Sequence, residues 1–185
     1  ITVISSPRIE LPFSENSRTI QVISKEEIIE SPANNVAELL QQVAGIDIRR
    51  RGVSGMQADL YIRGGGFDQT LLLIDGIKVE DAQTGHHTMN MALPIEVIER
   101  IEIIKGAASR VYGQNAFTGA INIITSKAVE NVVSLNIESG SYEQKNASVT
   151  ISRKYDDQSI LLHYSNNSSD GHKYNTDYKN ENYFL

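Results

Sequence analysis

The chain has no cysteine and no tryptophan, and only four prolines in 185 residues. Without cysteine there is neither a disulfide framework nor a thiolate metal site. No apolar run reaches the ~18 residues of a membrane-crossing helix, whereas crossing β-strands stay open because each gives only a weak signal. A basic excess is missing too. The net charge is −6, with 17 Lys and Arg against 23 Asp and Glu. A general nucleic-acid binder would show a basic footprint instead. The single basic cluster, Arg49-Arg50-Arg51, reads as a solvated strand end. Ile1 to Ser6 lacks the charged-then-apolar layout of a leader, which fits a cytoplasmic chain or one that begins after processing.

Motifs of catalysis are also absent. "GVSGM" at Gly52 to Met56 has methionine where a nucleophile elbow needs glycine. "IRGGGFD" follows a strand without the spacing of a dinucleotide loop, and neither a P-loop nor H-E-x-x-H occurs. The expectation is a protein that is not an enzyme and carries no cofactor. His86-His87 invites a metal reading, but neighbours on a strand point apart. A polar contact surface is the stronger reading, and no metal is expected.

What is present falls into two grammars. In the first, "SKEE" from Ser24 is a capping box, with Ser24 capping a helix and Glu27 reaching back. A second helix starts at Asn34 or Asn35, carries Val36, Leu39, Leu40 and Val43 at helical spacing, and stops at Gly45. Short strands follow at Ile46–Ile48, Leu60–Arg63, Thr70–Asp75 and Ile77–Val79, and Asp75-Gly76 marks a tight hairpin. Pro94 opens a helical turn before a strand at Arg100–Ile104, and a short helical segment at Ala107–Tyr112 precedes Gly113. Gly106, Gly113 and Gly119 suit tight turns or positive φ. The reading is a small α+β domain.

After Ser126 the period becomes two. Val132–Ser139, Lys145–Tyr155 and Gln158–Asn166 alternate apolar and polar residues over ~10 positions each, as barrel walls and ordinary antiparallel meanders both do.

Four separated motifs then stand in register: "IRGGG" at Ile62, "LLLIDGIKV" at Leu71, "IERIEIIKG" at Ile98 and "VYGQNAFTGAINIIT" at Val111. Through them the chain resembles the plug domain of TonB-dependent outer-membrane receptors over residues 1–126. The resemblance implies that 127–185 begin a transmembrane barrel, with Asn167–Lys179 as an outward loop. A plugged barrel of about 22 strands needs more than ~200 residues of wall. Fewer than 60 residues follow Ser126, so the chain is expected to be part of a receptor.

Within the family the likeness is greatest to the vitamin B12 (cobalamin) receptor group, on "DIRRRGVSGMQADLYIRG" from Asp47 and "TGHHTMN" from Thr84. It implies two ligand-facing loops, Gly52–Asp59 and Asp81–Asn90. The substrate-binding candidates are Gly52, Val53, Ser54, Gly55, Met56, Gln57, Gln83, Thr84, Gly85, His86, His87 and Asn90. It implies that Arg63 and Arg100 contact the barrel. It also implies that Thr2, Val3, Ile4 and Ser5 lie in a segment captured by the periplasmic partner TonB. The implied function is energy-coupled uptake of a large nutrient across the outer membrane of a Gram-negative bacterium, a corrinoid being favoured, with no nucleic acid involved. A ferric-siderophore receptor and a soluble binding or adhesion module with a plug-like fold are the alternatives.

Overall fold

The computed structural model describes residues 3–4, 11–12, 20–53, 56–80, 84, 86, 88–89, 91, 93–106, 108–128, 130–156 and 158–185. Near the start, β1 (Val3–Ile4) pairs antiparallel with β2 (Leu11–Pro12). Next come β3 (Ile20–Ile23), α1 (Lys25–Glu30), α2 (Val36–Gln41), β4 (Ile46–Arg50) and β5 (Ala58–Ile62). The series continues with β6 (Thr70–Ile74), β7 (Ile77–Lys78), β8 (Ile98–Lys105), α3 (Ser109–Tyr112) and β9 (Gly119–Thr125). Five of these strands form one mixed sheet in the order β3-β8-β9-β6-β7, in which only β6 and β9 run parallel. The α+β expectation holds.

Sequence explains why β6, β8 and β9 are central. β6 and β9 are nearly continuous apolar runs, the pattern of a strand covered on both faces, and in β8 the stretch Ile101–Ile104 is buried throughout although it contains Glu102. Leu72, Ile101, Ile103, Ile121 and Ile123 face one core, packed against α1, α2 and the β4–β5 pair. On the opposite face, Leu71, Leu73, Ile104 and Ala120 meet Ala108, Tyr112 and Ala116. Ser24 and Glu27 form the capping box expected at the start of α1. Asn35 caps α2 by accepting the Glu38 N–H at 3.0 Å. Pro94 leads into a 3-10 turn at Ile95–Val97.

Two glycines are dictated by geometry. Asp75 and Gly76 both take positive φ (50° and 78°), as the tight hairpin between β6 and β7 requires. Gly119 opens β9 where a Cβ would collide with the Ile104 carbonyl oxygen, so only glycine lets β8 and β9 close up there.

A separate antiparallel meander follows: β10 (Val132–Ser139), β11 (Lys145–Tyr155), β12 (Gln158–Ser169) and β13 (Tyr178–Phe184). Here the expected loop at Asn167–Lys179 needs correction. β12 continues to Ser169, β13 begins at Tyr178, and Ser169 pairs with Tyr178. The Asn and Ser residues that suggest a loop are strand residues whose polar row faces inward. Asn167 and Ser165 lie on the same face as the buried His163, where a strand needs polar rather than apolar side chains.

Candidate functional site

The segment Arg51–Gln57 joins β4 to β5, closed by the Arg51 N–H donating to the Gln57 carbonyl at 2.9 Å and the Met56 N–H to the Val53 carbonyl at 3.0 Å. Alternation along β5 sends Ala58, Leu60 and Ile62 into the core and leaves Asp59 on the other face. Asp59 is nevertheless only 3% exposed. Its cover comes from the second loop. His86 Nδ1 lies 2.9 Å from Asp59 Oδ1, and a carboxylate only accepts, so Nδ1 carries the proton and donates. The imidazole stacks on Phe67 with ring centroids 4.1 Å apart. Gln57 Nε2 donates to Asp59 Oδ1 at 3.4 Å, and Arg51 Nη2 stands 3.8 Å from Oδ2.

One buried carboxylate therefore ties the two loops together. Asp59 escaped the sequence reading as an anchor because it looks like one more loop residue. Its signal was a lone acid at an alternate position of an apolar strand. Of the loop candidates, Gln57 and His86 hydrogen-bond Asp59, Thr84 Oγ1 accepts the His86 N–H at 3.3 Å, and Gly52, Val53 and Met56 lie in the Arg51–Gln57 segment. Ser54, Gly55, Gln83, Gly85, His87 and Asn90 lie outside the described residues. Of the N-terminal candidates, Val3 and Ile4 are in β1, and Thr2 and Ser5 lie outside the described residues.

The basic triplet is not simply a rim. Arg49 pairs with Asp47 at 2.8 Å and covers the Tyr61 ring. Arg50 is half-buried, donating to Glu38 Oε1 at 2.9 Å and Asn35 Oδ1 at 3.1 Å. Burial raises the Glu38 carboxyl, but hydrogen bonds from Arg50, the Asn34 amide and Asn35, with the Arg50 charge, outweigh it and hold the carboxyl below its ordinary value.

The two candidate contact arginines differ sharply. Arg100 donates from Nε to the fully buried Glu102 at 2.9 Å. Arg63 is exposed, takes a positive φ of 51° and donates its backbone N–H to the Gly45 carbonyl at 3.0 Å, but its guanidinium has no hydrogen-bond or ion-pair partner among the described residues. Burial above all, and the nearby Arg63 charge, lower the Lys105 amine, which donates to the Ala44 carbonyl and to Gln21.

The meander approaches this unit with its inner face. Ser148, His163 and Ser165 are buried, and His163 hydrogen-bonds Thr150 at 2.7 Å with Nε2 3.9 Å from Glu96. Its outer face exposes Val133, Leu135, Ile137 and Leu162. Between the loops, α2 and the meander lies a cavity of about 450 Å³. Among the described residues no three His, Cys, Asp or Glu converge as metal ligands, and no helix is long and apolar enough to cross a membrane.

The sequence profile described as "TonB-dependent Receptor Plug Domain" matches residues 12–120. The chain is 35% identical over 162 residues to the vitamin B12 transporter BtuB of Vibrio vulnificus, covering 86% of this chain and 26% of that protein. It is 35% identical over 123 residues to BtuB of Vibrio cholerae serotype O1, covering 66% and 20%. The chain thus spans about a quarter of the length of these curated relatives or less. Among solved structures, the ferripyoverdine receptor of Pseudomonas aeruginosa superposes with a TM-score of 0.76 at 18% identity, over 91% of this chain and 22% of that one. The ferric-catecholate import receptor Fiu of E. coli gives 0.69 at 22% identity, over 88% and 23%.

Proposed function

We propose a function from one premise: the chain belongs to the TonB-dependent receptor plug domain family. Residues 1–126 are the plug, and 127–185 are the first strands of a barrel wall in the outer membrane of a Gram-negative bacterium. The complete receptor imports a large nutrient at the expense of energy delivered by TonB. A corrinoid is the favoured nutrient, since the curated relatives are named as vitamin B12 transporters. No catalytic step is assigned, as these relatives are transporters.

The observation that carries the reading is the Asp59 clamp. Ligand-binding loops gain affinity when they are held in the bound arrangement beforehand. Here two loops distant in sequence share one buried anchor, with Gln57 and His86 bonded to it and Thr84 accepting the His86 N–H. The exposed apolar row Val133, Leu135 and Ile137 supports a lipid-facing wall, because in water such a row would be a liability. The extended β1 suits capture by strand addition, in which a partner's sheet edge pairs with a peptide. The unpartnered fork of Arg63 suits a carboxylate on the rest of the barrel, where arginine makes bidentate bonds.

The test is uptake of labelled cyanocobalamin by Gram-negative cells that depend on this receptor. Uptake that requires TonB and is reduced by replacing Gln57 and His86 with alanine is the expected result. TonB-dependent uptake of a ferric siderophore without any corrinoid uptake would favour the second reading, to which the fold likeness with siderophore receptors points. Absence of barrel sequence downstream in the gene would instead favour a soluble binding module.

A further inference from the structure

We propose that the cavity between the plug loops and the meander is a binding station for the neutral, carboxamide-bearing periphery of the nutrient, and that it disfavours anionic chelates. The inference rests on the corrinoid reading and adds the chemistry by which such a ligand is chosen. At about 450 Å³ the cavity falls within the ~300–1,000 Å³ of small-molecule pockets, so it takes part of a large nutrient rather than all of it.

Its charges are already matched. Arg50 is bound to Glu38 at 2.9 Å, Lys179 and Glu181 alternate with Asn180 and Asn182 and turn their side chains to the meander's outer face, and Glu96 stands near His163. An entering anion would find no unmatched cation among these lining residues, and would pay the desolvation cost of a charge without a partner. Neutral hydrogen-bonding groups are available instead. Among the described residues, Asn146 and Asn182 use only their Nδ2 donors, to Glu138 and Ser165, and Asn167 uses only its Oδ1 acceptor, for the Tyr178 hydroxyl. Two acceptors and one amide donor are therefore left at the cavity, the set that a ligand carboxamide complements from both of its edges.

The rest of the lining suits the same ligand. All three methionines of the chain, Met56, Met89 and Met91, line this one cavity. Thioether side chains adapt to irregular apolar surface. An apolar body fringed by amides fits an adaptable apolar side facing an amide-bearing one, whereas a charged chelate does not.

The test uses the complete receptor that contains these residues, purified in detergent. The probes are cyanocobalamin, cyanocobalamin with one peripheral carboxamide hydrolysed to carboxylate, and a ferric siderophore. The Asn167→Leu, Asn182→Leu double variant should bind cyanocobalamin about tenfold more weakly, since a ligand amide would lose its partners. Its affinity for the hydrolysed corrinoid, already weaker in the natural receptor, should fall less. Because these 185 residues contain no cysteine, Asn167→Cys adds a reporter thiol whose alkylation cyanocobalamin should slow. Natural affinity in the double variant, or alkylation that cyanocobalamin leaves unchanged, overturns the cavity proposal and leaves the corrinoid reading standing. A natural receptor that ignores both corrinoids and binds the siderophore overturns the corrinoid reading itself. If the double variant does not assemble, protection of the Asn167→Cys thiol decides alone.

Discussion

The plug sheet and the meander are both β-structure, yet they are stabilised by different surroundings. In β6, β8 and β9 both faces are buried by the chain's own helices and loops. In β10 almost every residue is exposed, the apolar row Val133, Leu135 and Ile137 included. The plug therefore carries its own core. The meander has its inner face partly covered by the plug and leaves its outer face exposed, the face that meets lipid on the proposed reading. The same residue type should then matter greatly in one sheet and little in the other.

The largest effect is expected in the plug core. Ile121 is fully buried at the centre of the five-stranded sheet, where neighbouring strands cannot close over a cavity. Ile121→Ala should cost near the upper end of the ~2–5 kcal/mol typical of such truncations. Leu135→Ala removes a side chain 69% exposed and should change stability in dilute detergent by less than ~1 kcal/mol. Denaturant unfolding of both variants is the measurement. Equal losses would mean that the meander owes its order to this chain's packing and not to lipid.

How far the sequence could be read follows the same division. The helices were legible because Ser24, Glu27 and Asn35 act within a few residues of themselves, through local caps. β6 to β9 were legible as apolar runs around Asp75-Gly76. The end of β12 was not, because Asn166 to Ser169 have the composition of a loop. Only pairing with Tyr178–Glu181 fixes them as strand, and pairing is not local. At the site, loop positions were legible by resemblance, but the link between the loops was not. Asp59 and His86 are 27 positions apart, and no periodicity connects them.

The next effect separates the two arginines. Arg100→Ala strips the buried Glu102 of its arginine and should cost toward the lower end of the ~3–5 kcal/mol seen when one partner of a buried pair is removed, because Arg100 is partly exposed. That loss should appear in the isolated 185-residue chain and in the complete receptor alike. Arg63→Ala should matter little in the isolated chain and should lower the melting temperature of the plug only when the whole barrel is present. If Arg63→Ala destabilised both forms equally, Arg63 would be acting within the plug, and the barrel contact would be wrong.

A smaller effect is expected at the loop anchor. Asp59→Ala leaves His86 Nδ1 and Gln57 Nε2 without their acceptor and Arg51 without its nearby carboxylate, at a cost of ~1–3 kcal/mol for polar groups left unpaired. The loss should concentrate in the loops. Hydrogen exchange should accelerate at Arg51, Gln57 and His86 while Ile101 and Ile103 on β8 stay protected. Faster exchange on β8 as well would make Asp59 a core residue rather than a clamp between loops.

The smallest effect compares two ion pairs, one in the plug beside the cavity and one on the outer face of the meander. Glu38–Arg50 belongs to the plug and is partly buried, with side chains 31% and 26% exposed. Lys179–Glu181 lies on the meander and is more open, at 65% and 38%. An exposed pair contributes little and is screened by salt, so Glu181→Gln should be close to silent at physiological ionic strength. Glu38 is different because Arg50 Nε is buried without a hydrogen-bond partner among the described residues, so the guanidinium depends on Glu38 and Asn35 at its other nitrogens. The folded Glu38 carboxyl titrates below its ordinary value of 4.5. A carboxyl lowered on folding contributes stability that is complete above the unfolded value and disappears as pH falls through the folded one. Natural chain and Glu38→Gln variant should therefore differ in urea midpoint at pH 7 and converge progressively below about pH 4.5. Taking the difference between the two chains at each pH removes the general acid sensitivity of the fold. A gap that stayed constant down to pH 2 would mean that Glu38 acts by its shape and not by its charge, and the contrast between the two ion pairs would lose its electrostatic basis.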